Sequence, residues 1–186
     1  MIYLINLTLL LIIIYFDFHH LDSSLLKWLC IFNNFFYSLI KSYSPHLQLA
    51  LLFTVTADYF LIFTNHQIIG VICFLCVQYN YMHLLNYYTR NFLFPLLLLP
   101  INPLISISLA YIWLSLGNLC HSFLQRLDDK HQHFFFLAIL LLAICDLLVA
   151  LTFQNILSEP IFKSMIWIFY VPSQLFLLSS QINSEK

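Results

Sequence analysis

Apolar residues run through this chain in long blocks broken by short polar stretches, without the alternation that marks strands. Eight blocks read as helices: about 2–16, 25–40, 47–64, 67–85, 91–101, 103–120, 134–153 and 162–180. The fifth is the short one. Asn91-Phe-Leu-Phe-Pro95-Leu-Leu-Leu-Leu-Pro100 holds two prolines in a span too short to cross ~30 Å alone as an untilted helix. It is either a crossing of its own or a kinked prelude to the sixth block, so eight and seven spans both stay open. Between blocks, Ser42-Tyr-Ser-Pro45 and Thr64-Asn-His-Gln67 read as turns.

Composition sharpens this into a class. The 186 residues are 62% hydrophobic and 8% charged, whereas a soluble domain carries about 25% charged residues. The expectation is an all-α, polytopic transmembrane helix bundle forming a single domain over 1–186. The longest polar run, His121 to His133, is too short to hold a separate core. A net charge of −1 excludes a strongly basic nucleic-acid surface. Ile2 to Phe16 lacks the basic start and small-residue cleavage site of a signal peptide, and reads as a retained first helix.

Basic residues bear on orientation. With eight spans, Lys41, Arg90, Arg126, Lys130 and Lys186 share one side, against Lys27 and Lys163 on the other. That split predicts both termini in the cytoplasm. With seven spans, Lys41, Arg90 and Lys163 oppose Lys27, Arg126, Lys130 and Lys186, which satisfies no rule. The charges favour eight.

Two acids stand out. Asp17, Asp22, Asp128, Asp129, Glu159 and Glu185 fall at segment ends or in connections, but Asp58 and Asp146 lie inside apolar blocks. An intramembrane carboxylate costs at least ~3 kcal/mol on insertion scales and normally faces the protein interior. In the eight-span arrangement both lie on the order of 10 Å below the same, non-cytoplasmic face, where Lys27 begins the second block. The surroundings echo each other. Leu52-x-x-x-x-Ala57-Asp58 matches Leu140-x-x-x-x-Cys145-Asp146, followed by Phe63 and Asn65 in one case and Phe153 and Asn155 in the other. The next block then holds Gln78 with Tyr81, or Tyr170 with Gln174. Duplicated helix pairs would produce this pattern.

Other candidate chemistry is weaker. Cys73-Phe-Leu-Cys76 lies mid-helix, where small packing residues are expected and no helix N-terminus activates a thiol. The histidines sit mostly at segment ends, with no zinc-like spacing, so neither metal nor cofactor is expected. There is no nucleophile elbow and no phosphate-cradling glycine loop.

Four motifs fall in order: Ala57-Asp58, Phe74-Leu-Cys-Val-Gln78-Tyr-Asn-Tyr81, Cys145-Asp146-Leu-Leu-Val-Ala150 and Tyr170-Val-Pro-Ser-Gln174. In these the chain resembles the YhhN-type lysoplasmalogenase family from about Lys27 onward. That family has Gly-Asp where Ala57-Asp58 stands, Ser-Asp where Cys145-Asp146 stands, and Lys-Pro where Lys27-Trp28 stands. The resemblance implies cleavage of the vinyl-ether bond of a lysoplasmalogen to a fatty aldehyde and a glycerophospho-alcohol. It makes Asp58 and Asp146 the catalytic pair and a membrane lipid the partner. Lys27, Gln78, Tyr81, Tyr170 and Gln174 would position head group or water.

Elementary chemistry is compatible. Vinyl ethers hydrolyse by proton transfer to carbon, giving an oxocarbenium ion that water captures, a task for one protonated and one ionised carboxyl. A carboxyl removed from water keeps its proton more readily, and a second one nearby adds to that. Two other classes fit the same residues. A small proton-coupled transporter would use the acids as protonation sites, and a structural membrane subunit would use them as interhelical glue.

Overall fold

The computed structural model describes residues 2–64, 66–127, 129–153 and 160–181, and within these the chain is helical without strands. The α-helices are α1 (Ile2–Phe18), α2 (Ser24–Ile40), α3 (Pro45–Phe63), α4 (Gln67–Leu84), α5 (Pro103–Gln125), α6 (Lys130–Phe153) and α7 (Pro160–Ser179). Asn91–Leu98 forms a 3-10 helix between α4 and α5. The five helices α3 to α7 are long and apolar enough to cross a bilayer, while α1 and α2 are apolar but shorter. Each helix packs on the next, and α7 returns to α1, so the seven form a closed ring. The tightest neighbours are α3 with α4 and α6 with α7. These are the two pairs that echo each other in sequence.

Helix ends follow local chemistry. Ser44 caps α3 by accepting from the Leu47 amide, and Pro45 fills the first turn, where its missing N–H costs nothing. Asn102 and Pro103 repeat the device at α5. The polar run 121–133 is mostly helix, since α5 continues to Gln125 and α6 starts at Lys130. The cause is amphipathic: the Arg126 guanidinium lies 3.7 Å from the Phe123 ring centroid and Lys130 lies 5.9 Å from that of Phe134. Both cations lie over aromatic faces of the same helix ends, a contact that favours helix over loop here.

Contacts fix the direction of every leg. Asn6 meets Asn34, Trp28 reaches the Val55 carbonyl, His46 meets Asn80, Phe123 packs on Phe136 and Phe134 on Phe176. Those neighbours are antiparallel. Helices α4 and α5 differ: Phe74 packs near Tyr111, Gln78 meets Asn118, and Gln125 donates to the Leu85 carbonyl. They are parallel.

Two parallel helices joined in sequence need a return leg. Residues 86–102 supply it, running back along α5: Tyr87 meets Asn118 near one end and the Pro95 carbonyl accepts from Ser106 near the other. An eight-residue 3-10 helix covers ~16 Å at ~2 Å per residue, and less regular backbone on either side covers the rest. The fifth block is therefore a leg of its own, distinct from α5, and the chain traverses the bundle eight times. Tyr3 at the start of α1 shares a hydrogen bond of 2.9 Å with Ser179 at the end of α7, so the two terminal helices end at one face. Lys41, Arg90, Arg126 and Lys130 lie toward that face, called here the terminal face, and Lys27 and Lys163 toward the opposite one. Asn65, Asp128, Asn155, Glu159, Glu185 and Lys186 lie outside the described residues.

Both glycines sit where another element comes close. A Cβ on Gly70 would lie 2.7 Å from the Leu61 side chain, and one on Gly117 would lie 3.0 Å from the Tyr87 hydroxyl. The first lets α4 approach α3 beside Ala57, and the second admits the return leg.

The eight-leg path has a direct check. Cysteines placed at Lys41 and Arg126, in protein lacking its five native cysteines, should react with a membrane-impermeant maleimide from the same side. A cysteine at Lys163 should react only from the other. Lys41 and Arg126 labelled from opposite sides would mean seven crossings.

Candidate functional site

The ring encloses a polar centre built from α3, α4, α5, α6 and α7. Asp58 of α3 is buried, with 6% of its surface exposed. Its Oδ2 accepts a hydrogen bond of 2.8 Å from the Tyr170 hydroxyl of α7. Asp146 of α6 is only partly buried, and its Oδ2 accepts 2.5 Å from the Tyr111 hydroxyl of α5. The two carboxyl groups are within electrostatic reach of each other. Cys145 is buried within reach of both. Each acid is thus held by one tyrosine from a different helix, and among the described residues neither has an ion-pair partner.

Behind Asp146 runs a chain of hydrogen bonds with one direction. The Tyr87 hydroxyl donates to Asn118 Oδ1 at 2.7 Å, and Asn118 Nδ2 donates to Gln78 Oε1 at 2.7 Å and to the Gln78 carbonyl at 2.9 Å. Gln78 Nε2 then donates to the Tyr111 oxygen at 3.3 Å, and Tyr111 donates to Asp146. Every donor points toward the carboxyl, so each bond polarises the next. The chain ends at Asp146 Oδ2, which accepts its last bond.

The remaining sequence candidates divide. Tyr81 and Gln174 are buried, and the Tyr81 hydroxyl faces the Gln174 amide. Gln174 Nε2 reaches Ser173 at 3.4 Å, while its Oε1 has no hydrogen-bond partner among the described residues. In the polar centre, Asp58, Asp146, Gln78, Tyr81, Tyr170 and Gln174 come together. Lys27 stays apart. Its ammonium pairs with Asp17 at 2.8 Å and lies 5.5 Å from the Trp167 ring centroid, at the face opposite the termini. Trp167 in turn packs edge-on against Tyr170, with ring centroids 5.3 Å apart. The lysine therefore touches the site through two aromatic rings and leaves both acids unpaired.

Tyr111, Asn118 and Tyr87 were invisible as site residues in the sequence. They lie in or next to apolar blocks with no motif around them, and only the parallel packing of α5 on α4 brings them to Gln78. A weak signal did exist: Asn118 is a mid-helix amide in an apolar block, the kind of residue that needs a partner across a helix interface.

Comparison with known proteins finds no matching family model, no matching curated protein and no matching solved structure.

The hydrogen-bond chain predicts unequal costs. Asn118→Ala removes three bonds and strands Gln78 and Tyr87, which should destabilise the protein by on the order of 2 kcal/mol. Tyr170→Phe removes a single bond and should cost about 1 kcal/mol. Denaturant unfolding in mild detergent measures both. Equal effects would mean that the three bonds of Asn118 together hold no more than one.

Proposed function

We propose that the chain is an intramembrane lipid hydrolase that cleaves the vinyl-ether bond of lysoplasmalogens, with Asp58 and Asp146 as its acid pair. One observation carries the reading. Two aspartates from separate helices lie within electrostatic reach in an apolar bundle, each held by a tyrosine and, among the described residues, neither neutralised by a cation. Intramembrane acids that serve only as glue are normally paired. The nearest candidate partner, Lys27, is already taken by Asp17.

In this reading Asp58, the more deeply buried acid, delivers a proton to the outer vinyl carbon. The ether oxygen then shares the positive charge as an oxocarbenium ion. Asp146, at the end of a donor chain aimed at it, is suited to the ionised role. It steadies the cation and takes a proton from the attacking water. The hemiacetal formed by that water collapses to a fatty aldehyde and a glycerophospho-alcohol, with the proton of Asp146 balancing the one given by Asp58. Cys145, buried within reach of both acids, packs beside them. An apolar groove of ≈ 500 Å³ between α5 and α6, lined by Leu119, Phe123, Phe136 and Leu140, offers a berth for the aliphatic chain. Leu140 is ~9 Å along α6 from Asp146.

The transporter alternative draws on the polar chain from Tyr87 to Asp146. Asn118 and Gln78 are amides, which pass a proton only through a high-energy tautomer, so that chain works better as a scaffold than as a relay.

Aldehyde release from a lysoplasmalogen, with an ester lysophospholipid as control, tests the proposal. Asp58→Asn and Asp146→Asn should each lower turnover by at least about 100-fold in folded protein. Tyr111→Phe should lower it less, by roughly 10-fold. Turnover unaffected by either Asp→Asn variant would end the acid-pair assignment, and proton uptake in liposomes would then be the reading to pursue.

A further inference from the structure

At the face opposite the termini, α1, α2 and the start of α7 enclose a polar cup of ≈ 300 Å³ lined by Asp17, His20, Asp22, Ser23, Lys27 and Lys163. Among those residues its formal charges balance, with two carboxylates against two ammonium groups. Asp17 is the unusual member. Its side chain is only 9% exposed. Lys27 Nζ at 2.8 Å and Ser23 Oγ at 2.5 Å both bond to Oδ1. The other oxygen, Oδ2, is buried and has no hydrogen-bond partner among the described residues.

A buried carboxylate oxygen without a donor is costly, and it calls for an N–H or O–H that the described residues do not supply. Both donors sit on one oxygen when they could have been shared. The vacant oxygen is therefore the position a ligand's donor would take. Asp22 stands nearby, and hydrogen bonds from the Ser24 side chain and backbone hold its carboxyl below the usual range, so it stays ionised. On the rim, Lys163 is exposed and contributes a second cation alongside Lys27.

We propose that this cup binds the zwitterionic head group of a lipid bearing a primary ammonium, with N–H donated to Asp17 Oδ2 and the phosphate held by Lys163 and Lys27. The inference rests on the lipid-hydrolase reading and deepens it by naming the head group as phosphoethanolamine. A quaternary ammonium carries the same charge but has no N–H to give, so phosphocholine leaves Asp17 Oδ2 unsatisfied. Position agrees with the rest of the site. Lys27 rests on Trp167, Trp167 on Tyr170, and Tyr170 on Asp58. Lys163 and Tyr170 are seven residues apart on α7, ~10 Å along the axis, a distance of the order spanned from a phosphate through glycerol to the vinyl-ether group.

The test is binding of ester lysophosphatidylethanolamine and lysophosphatidylcholine to the full-length protein in maltoside micelles, read by tryptophan fluorescence. Neither lipid has a vinyl ether, so no turnover intrudes. The ethanolamine lipid should bind at least about 10-fold more tightly. Asp17→Asn should remove that preference, and Lys163→Ala should weaken both lipids alike, several-fold. Equal affinity in the unaltered protein overturns the proposal, whether or not Asp17→Asn folds. So does a preference that persists in folded Asp17→Asn protein. Glycerophosphoethanolamine should compete more weakly than the lipid; competition as strong would assign the cup to a soluble phosphoester and overturn the lipid reading. The two proposals fail separately. Ethanolamine preference without aldehyde from any lysoplasmalogen would leave the cup and remove the hydrolase. Aldehyde released equally from ethanolamine and choline lysoplasmalogens, unchanged by Asp17→Asn, would do the reverse.

Discussion

A carboxyl group inside an apolar bundle has no water to satisfy it, so the protein must build its partners from other helices. Here each aspartate receives a tyrosine hydroxyl from a helix other than its own: Asp58 from α7 and Asp146 from α5. These two bonds tie α3 to α7 and α6 to α5, joining the echoing pairs α3–α4 and α6–α7 across the middle of the ring. Because α3 and α6 run in the same direction, the acids arrive at the same depth. Shared depth makes a two-carboxyl site possible. The same helices in opposite senses would have put the acids at opposite ends.

The second support is the parallel packing of α4 on α5. It aligns Gln78 with Asn118 and Tyr111 and so extends the polar centre from one acid toward the other face. The arrangement obliges residues 86–102 to travel back through the bundle outside α5. That leg has prolines and cannot be a regular α-helix, so its backbone must find other partners. The Ser106 hydroxyl donating to the Pro95 carbonyl is one of them. Geometry at the acid centre and irregular backbone at the edge are two sides of one packing choice.

Much of the architecture could be read in advance. Block lengths and the near absence of charge led to a helical bundle, and the placement of Asp58 and Asp146 within apolar blocks marked the centre. Helix ends were less legible at 121–133, where Arg126 and Lys130 look like loop residues until their cationic groups are laid over Phe123 and Phe134. Whether the proline-rich fifth block stood alone depended on the relative direction of α4 and α5, which no local pattern encodes. Lys27 shows the limit for the site. Its depth was right, but depth does not give azimuth, and the lysine turned toward Asp17, an acid set aside because it lay at a segment end. Tyr111 was hidden for the same reason, since an aromatic in an apolar block looks like packing until a neighbour supplies its acceptor.

The 3-10 leg has a consequence for how the chain is made. An isolated segment of this kind, about half the bilayer's thickness in its regular part, carries more unsatisfied backbone than lipid tolerates. It has no means of entering the membrane by itself as α3 or α6 can. Its partners lie on the helix that follows it in sequence, so the leg and α5 have to be inserted together, as one hairpin, after α4 is already in place. Insertion is thereby paced at this point of the chain: until α5 emerges from the ribosome, the segment before it must wait at the interface.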